Sequence, residues 1–281
     1  MSSKTINIKG NLLNLSTPLV MGILNITPDS FYAGSRKVSE QQIIERVGEI
    51  LSQGGTIVDI GAQSTRPTST LLSAKEEIER LRFALSVINR EFPGVIMSVD
   101  TFYGDVARFC VEEHGVSIIN DISGGEMDKT MFPVAARLNV PYILMHMKGT
   151  PQTMTTLTEY NNLIQDIFLY FSRKVEELHL LGVNDVILDP GFGFSKTLDQ
   201  NYELMASLRG FSIFNLPLLV GIFRKRMIAN LLGTTPEESL NGTSILNTFA
   251  LQNGADILRV HDVKEAVEAV KVVGKLKEFE F

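Results

Sequence analysis

Of eight short apolar runs in this chain, seven finish at residues that can do chemistry. The runs are PLVMGILN (18–25), TIVDIGA (56–62), GVIMSVD (94–100), VSIINDI (116–122), PYILMH (141–146), DVILDP (185–190), PLLVGI (217–222) and DILRVHD (256–262). At or beside their ends stand Asn25, Asp100, Asn120, His146, Asp189, Arg224 with Lys225, and Arg259 with His261. A single Asp or Asn at such a place is as readily a helix cap or a turn former, but capping alone does not account for the whole series. The set divides in two. Asp100, Asn120 and Asp189 are acceptors with one amide donor, which suits a flat heterocycle whose amidine-like edge donates parallel N–H bonds. Lys225, Arg259, His261 and Arg66 are donors, and Arg with His suits a phosphate or pyrophosphate. Paired carboxylates also serve glycosidases, a use disfavoured here because the chain has no Trp for sugar stacking. Asn25 is a poor lone metal ligand. A magnesium there draws most of its shell from substrate phosphate oxygens and water.

Something must bring these residues together. Between the apolar runs lie helical patterns. SEQQIIERVGEILSQGG has Ser39 as its cap candidate, and LSAKEEIERLRFALSVINREF carries apolar residues at three-and-four spacing. LTEYNNLIQDIFLYFSRKVEELHLLGV reads as one long helix ending at Gly182. TPEESLNGTSILNTFALQNGA reads as a short and then a longer helix, and VKEAVEAVKVVGKLK closes the series. Strand and helix alternating at roughly 35 residues per unit predict a parallel sheet, and eight units predict a closed α/β (β/α)8 TIM barrel. An open doubly wound sheet is the alternative, but no GxGxxG turn follows the first strand. In a barrel the C-terminal strand ends share one rim, and the active site lies there. The opening TINIKGNLLNLS alternates around Lys9-Gly10-Asn11 and reads as a short N-terminal β-hairpin that plugs the other mouth. The loops NITPDSFYAGSRK (25–37) and AQSTRPTSTLLSA (62–74) are long for their place and are expected to be mobile lids.

The totals bound the rest. With 281 residues, 44% apolar and 21% charged, one domain over 1–281 is the economical reading. A net charge of -6 argues against a nucleic-acid surface, though a few local cations can still dominate a pocket. The single Cys110 excludes an intrachain disulfide and fits a reduced, cytoplasmic location. No signal sequence and no membrane-spanning run is visible.

In several ordered segments the chain resembles the dihydropteroate synthase family over nearly its whole length. They are MGILNITPDSF (21–31), STRP (64–67), SVDT (98–101), INDISGG (119–125), LMHMKGTPQTM (144–154), DPGFGF (189–194), RK (224–225) and RVHD (259–262). The resemblance implies a transferase of folate biosynthesis, and a target of sulfonamides. It would join 6-hydroxymethyl-7,8-dihydropterin diphosphate to 4-aminobenzoate, giving 7,8-dihydropteroate and pyrophosphate. It implies that Asp100, Asn120, Asp189 and Lys225 hold the pterin with Met145 packed on its ring. Asn25, Arg66, Arg259 and His261 hold the diphosphate, with Mg2+ at Asn25, and Phe31, Thr65, Pro67 and Phe194 shape the aminobenzoate pocket. Asp100, Lys225, Arg259 and His261 would carry catalysis, and a homodimer is implied.

Two departures stand out. The family's second loop commonly reads GGESTRPG, against GAQSTRPT here, with Ala62, Gln63 and Thr68. Where it has Ser-Arg-Lys-Ser, this chain has Phe223-Arg224-Lys225-Arg226. Phe223 replaces a hydroxyl near the aminobenzoate carboxylate and is expected to lower sulfonamide affinity. Arg226 on the first turn of a helix opposes the dipole slightly and is expected to point to solvent. Two rival readings, a pterin-dependent methyltransferase domain and a non-catalytic pterin-binding protein, leave STRP or the intact motifs unexplained.

Overall fold

The structure, a computed structural model, describes residues 4–26, 36–63 and 70–279, with the backbone alone for 36–39. Phe31, Thr65, Arg66 and Pro67, and most of the two expected lids, lie outside the described residues.

Two short antiparallel strands, β1 (Thr5–Ile8) and β2 (Asn11–Asn14), form the expected hairpin, turning at Lys9-Gly10. Eight parallel strands follow: β3 (Leu19–Asn25), β4 (Ile57–Gly61), β5 (Ile96–Asp100), β6 (Ile118–Asp121), β7 (Tyr142–Met145), β8 (Val186–Asp189), β9 (Leu219–Val220) and β10 (Ile257–Val260). They pair in the order β8-β7-β6-β5-β4-β3-β10-β9. A parallel bridge between Leu188 and Leu218, with the Leu188 amide donating to Pro217 O at 2.8 Å, brings the two edges together. The sheet is thus a nearly closed barrel. Helices α1 (Arg36–Ser52), α2 (Ala74–Glu91), α3 (Gly104–His114), α4 (Met131–Leu138), α5 (Leu163–Leu180), α6 (Leu198–Ala206), α7 (Arg226–Leu232), α8 (Leu240–Gln252) and α9 (Val263–Lys277) connect the strands.

Strand side chains alternate between two faces, and here the faces have different fates. Val20, Val58, Val99, Ile119, Leu144, Val186, Leu188, Val220 and Leu258 belong to the large core packed with the helices. On the other face, Met21, Ile57, Ile118, Ile143, Ile187, Leu219 and Ile257 form a separate buried cluster with Ile6, Ile8 and Leu15. The hairpin therefore seals the N-terminal mouth, each buried isoleucine contributing about 2 kcal/mol. Two residues further along, the inward faces of five strands turn polar, at Asp59, Ser98, Asn120, Asp189 and Arg259, with Asp100 two residues beyond Ser98, while Ile23, Met145 and Gly221 continue the other three. A dry floor thus lies under a charged upper layer.

Several boundaries differ from expectation. α1 begins at Arg36, so Ser39 lies inside the helix rather than at its cap. α5 starts at Leu163, not Leu157, because the Asn162 side chain accepts from Gln165 N at 3.0 Å and Asp166 accepts from Asn161 N at 3.1 Å. TPEES forms a turn rather than a helix: Glu238 accepts from the Thr234 hydroxyl at 2.8 Å, a local competitor for the backbone. β9 is two residues long instead of six.

Candidate functional site

The polar layer sits at the C-terminal rim, as the strand ends required. Arg259 is its hub. From β10 its Nε donates to Asp59 Oδ2 at 2.7 Å and its Nη2 to Asp100 Oδ2 at 2.6 Å. Asn120 Nδ2 donates to the same Asp59 oxygen at 3.1 Å. Acceptors and cations that look separate in sequence are thus one hydrogen-bonded network spanning β4, β5, β6 and β10. Burial raises the Asp100 carboxyl above the usual carboxylate range, with Arg259 opposing and Asp59, Asp121 and Asp189 adding to the rise. Arg259 keeps its charge because Asp59 and Asp100 outweigh the burial that opposes it.

Asp59 Oδ1 and Ser98 Oγ, at paired positions on β4 and β5, are buried and find no hydrogen-bond partner among the described residues. Unpaired buried acceptors are costly, and a ligand carrying N–H groups relieves that cost.

Asp189, at the end of β8, accepts from Gly191 N at 2.8 Å. Burial raises its carboxyl, with Lys225 the main opposing charge. Lys225 donates to Phe192 O and lies 4.6 Å from the centroid of the Phe194 ring. Burial pulls its amine down to about 8, with Asp189 opposing and Arg259 adding to the fall. Beside this ring lies an apolar patch: Met145, Met147, Met154, Phe102 and Ile122 are buried together, with Phe194 and Tyr103 against them.

The four residues Phe223 to Arg226 have separate destinations. Phe223 stacks on His261, ring centroids 4.3 Å apart and tilted by 42°. Arg224 turns away. It grips Asp262 with two bonds of 3.0 and 3.1 Å, and its other guanidinium nitrogen reaches Glu237 O. Its φ of 37° is left-handed, an arrangement costing roughly 1 kcal/mol for a side-chain-bearing residue, and the bidentate pair offsets it. Lys225 enters the site, and Arg226 is exposed, as expected.

His261 is not a cation here. Burial, with Arg46 and Arg259 nearby, pulls the imidazole down to about 4, so it offers a neutral N–H. Arg46 Nη2 also fixes the His261 carbonyl at 2.7 Å. Asn25 ends β3 with its side chain exposed. Among the described residues no three His, Cys, Asp or Glu side chains converge to hold a metal.

Some of this is not anticipated from sequence. Asp59 escapes the strand-end pattern, although a lone charge inside the apolar run TIVDIGA is its signal. Lys196 escapes it too; it lies in a buried contact with His146 Nδ1 at 3.1 Å. Gln63 gains a reason. Its amide donates to Glu77 Oε2 at 2.9 Å and to Leu72 O at 3.0 Å, and accepts from Leu72 N at 3.1 Å. Burial raises Glu77 to about 7, with the Gln63 and Thr101 bonds opposing. A carboxylate at 63 would face another carboxylate and lose both donations.

Comparison with known proteins agrees with this geometry. A model of the pterin binding enzyme family matches residues 21–261. The dihydropteroate synthase of Escherichia coli strain K12 is 41% identical over 267 residues, 94% of each chain. That of Synechocystis is 40% identical over 260 residues, 92% of this chain and 89% of that one. A Yersinia pestis dihydropteroate synthase, solved with a sulfonamide drug complex, superposes with a TM-score of 0.90 at 38% identity, covering 99% of this chain and all of that one (100%). The Thermus thermophilus enzyme in complex with 4-aminobenzoate gives 0.85 at 33% identity, covering 97% and 100%. With its barrel, its rim and its sequence all in agreement, this chain belongs to the pterin binding enzymes and, among them, to the dihydropteroate synthases, transferases of folate synthesis.

Proposed function

We propose that the chain condenses 6-hydroxymethyl-7,8-dihydropterin diphosphate with 4-aminobenzoate to give 7,8-dihydropteroate and pyrophosphate. The observation that carries this reading is the inward network of Asp59, Asp100, Asn120 and Arg259, with an unpartnered buried acceptor facing the barrel interior. Asp100, Asn120 and Asp189 accept from the pterin's N–H edge, Lys225 donates to it, and Met145 packs on its ring. Arg259, the neutral His261, Asn25 and Arg66 receive the diphosphate. Phe31, Thr65, Pro67, Phe194 and Phe223 shape the aminobenzoate pocket.

The chemistry is a dissociative substitution. The bond between the pterin methylene and the diphosphate oxygen breaks, and its electron pair leaves with the diphosphate. The electron-rich dihydropterin spreads the resulting positive charge, and the Asp100 carboxylate stabilises it. The arylamine lone pair then forms the C–N bond and the nitrogen loses one proton, with no strong general base required. Asn25 offers one exposed amide oxygen and no carboxylate cluster accompanies it among the described residues, which fits a Mg2+ that arrives with the diphosphate and takes its other ligands from phosphate and water. When bound, Mg2+ supplies charge neutralisation at the leaving group.

Exposed Leu231 and Leu232 on α7, Ile245 and Phe249 on α8, and Val272 and Leu276 on α9 form an apolar surface on adjoining helices. A second copy of the chain covers it in a homodimer; a sedimentation mass of one chain refutes this. Among the described residues no helix is long and apolar enough to cross a membrane, and a cytoplasmic location is part of the same reading.

Phe223 governs drug discrimination. Its ring fills the space where the family has a hydroxyl, and its stacking on His261 holds it there. Phe223→Ser is expected to tighten sulfonamide inhibition by about tenfold, the scale of roughly one lost contact, with a smaller change in aminobenzoate KM. Equal inhibition constants in the two proteins would sink the assignment.

Pyrophosphate release that requires aminobenzoate tests the reaction itself. Pterin binding without turnover would indicate a binding protein instead, and methyl transfer a methyltransferase.

A further inference from the structure

The segment Asp189–Thr197, DPGFGFSKT, has an unusual backbone. Gly191, Gly193 and Ser195 are all left-handed, at φ 72°, 78° and 50°. A Cβ on Gly191 would stand 2.0 Å from His146 O, so the turn lies directly on the end of β7. Alternation of this kind points successive carbonyls in different directions, and two lysines collect them. Lys225 takes Phe192 O. Lys196 takes Gly191 O at 2.9 Å, Phe194 O at 3.0 Å and His146 Nδ1 at 3.1 Å.

The Lys196 nitrogen thus lies within hydrogen-bond distance of three polar partners, two of them carbonyls to which it donates. None of the three is charged, and among the described residues Lys196 is in no ion pair. A buried ammonium among neutral acceptors is an expensive way to stabilise a turn. Its siting at the base of Phe194 gives it another use. Phe194 belongs to the apolar patch beside the site, and its ring faces the Lys225 ammonium. The far side of the turn is held independently: Asn201 accepts from Gly193 N at 2.7 Å, and Ser195 Oγ accepts from Lys148 N at 2.7 Å. Those clamps leave the Phe194 carbonyl free, and only Lys196 holds it among the bonds described.

We propose that Lys196 is a positioning residue for the aminobenzoate wall: its buried ammonium fixes the Gly191 and Phe194 carbonyls, and so sets the angle at which the Phe194 ring meets the second substrate. Burial favours a neutral His146 imidazole, and in the tautomer with its proton on Nε2 the free Nδ1 accepts from the lysine and keeps it in place. Of the pterin's own contacts, Asp100, Asn120 and Asp189 come from strand ends to which Lys196 makes no hydrogen bond, and Lys225 meets the turn at a different carbonyl, Phe192 O.

The identity of the substrate rests on the transferase reading above, so the test uses two readouts. Lys196→Met keeps the length and removes the donors. It is expected to raise aminobenzoate KM by about tenfold, the worth of roughly one lost charge-assisted hydrogen bond, while the KM for the pterin diphosphate stays within about twofold of the unmutated value. Because the chain has no tryptophan, Phe194→Trp supplies a single reporter. Acrylamide quenching of that indole is expected to increase when Lys196→Met is added. Lys196→Gln retains two N–H donors and should give an intermediate result; it serves if the methionine variant does not fold. Unchanged quenching with an unchanged aminobenzoate KM, or an equal rise in both KM values, overturns the proposal. If the unmutated protein releases no pyrophosphate from these substrates, the transferase reading fails, and the quenching comparison still decides the role of Lys196.

Discussion

Arg259→Met is expected to lower kcat/KM by about a thousandfold, the upper scale for losing one preorganised donor at a site of developing negative charge. It should also destabilise the fold by about 3 kcal/mol, since it leaves two carboxylates without their cation. Both follow from the same pair of bonds, 2.7 Å to the fully buried Asp59 and 2.6 Å to Asp100. The two effects can be separated. Adding Asp59→Asn to Arg259→Met removes one orphaned charge and keeps the side chain's shape. Urea denaturation should show much of the lost stability returning, while turnover remains at the single-variant level. A double variant that recovers turnover along with stability would show that Arg259 only holds the barrel together. A single variant that keeps more than about a tenth of kcat/KM would exclude it from the leaving-group site.

This network also shows where the sequence is legible. The inward face of each strand is read at alternate residues. The last residue is Asn25 in β3, Asp100 in β5 and Asp189 in β8, and Asn120 is next to last in β6, so this part of the rim could be read at or beside the strand ends. Asp59 could not, because it lies two residues before the end of β4, within a run that otherwise reads as core. What makes it functional is β10, two hundred residues later, which delivers Arg259 to it. Lys196 is hidden for a similar reason. Its partners are two carbonyls and a ring nitrogen, and no residue type announces them. The helix boundaries failed where a side chain outbid the backbone, at Asn162 and at Glu238, a contest that apolar periodicity does not record. The hairpin plug was legible because Ile6 and Ile8 share one face of β1, just before a Lys-Gly turn with a left-handed backbone.

Lys225→Met is expected to cost two to three orders of magnitude in kcat/KM, on the order of 10^2 to 10^3, and the pH profile identifies the cause. Lys225 reaches the site from a two-residue strand, donates to Phe192 O and has Asp189 as its main compensating charge. Burial brings its amine from 10.5 down to about 8. The protonated form is the donor, so kcat/KM should fall as pH rises through about 8. Stability moves the other way. Between about 8 and 10.5 the unfolded chain holds a proton that the folded chain has lost, so the unfolded state binds more protons and stability rises with pH across that window. Lys196, brought down to about 7 by burial, contributes with the same sign. Activity and stability therefore diverge above about pH 8, which rules out unfolding as the source of the alkaline loss. In Lys225→Met the remaining activity should lack the limb near 8. Retention of that limb in the variant, or an unmutated limb near the ordinary lysine value, would remove Lys225 from the catalytic assignment. In that event the amine's only work would be to hold Phe192 and the turn beneath Phe194.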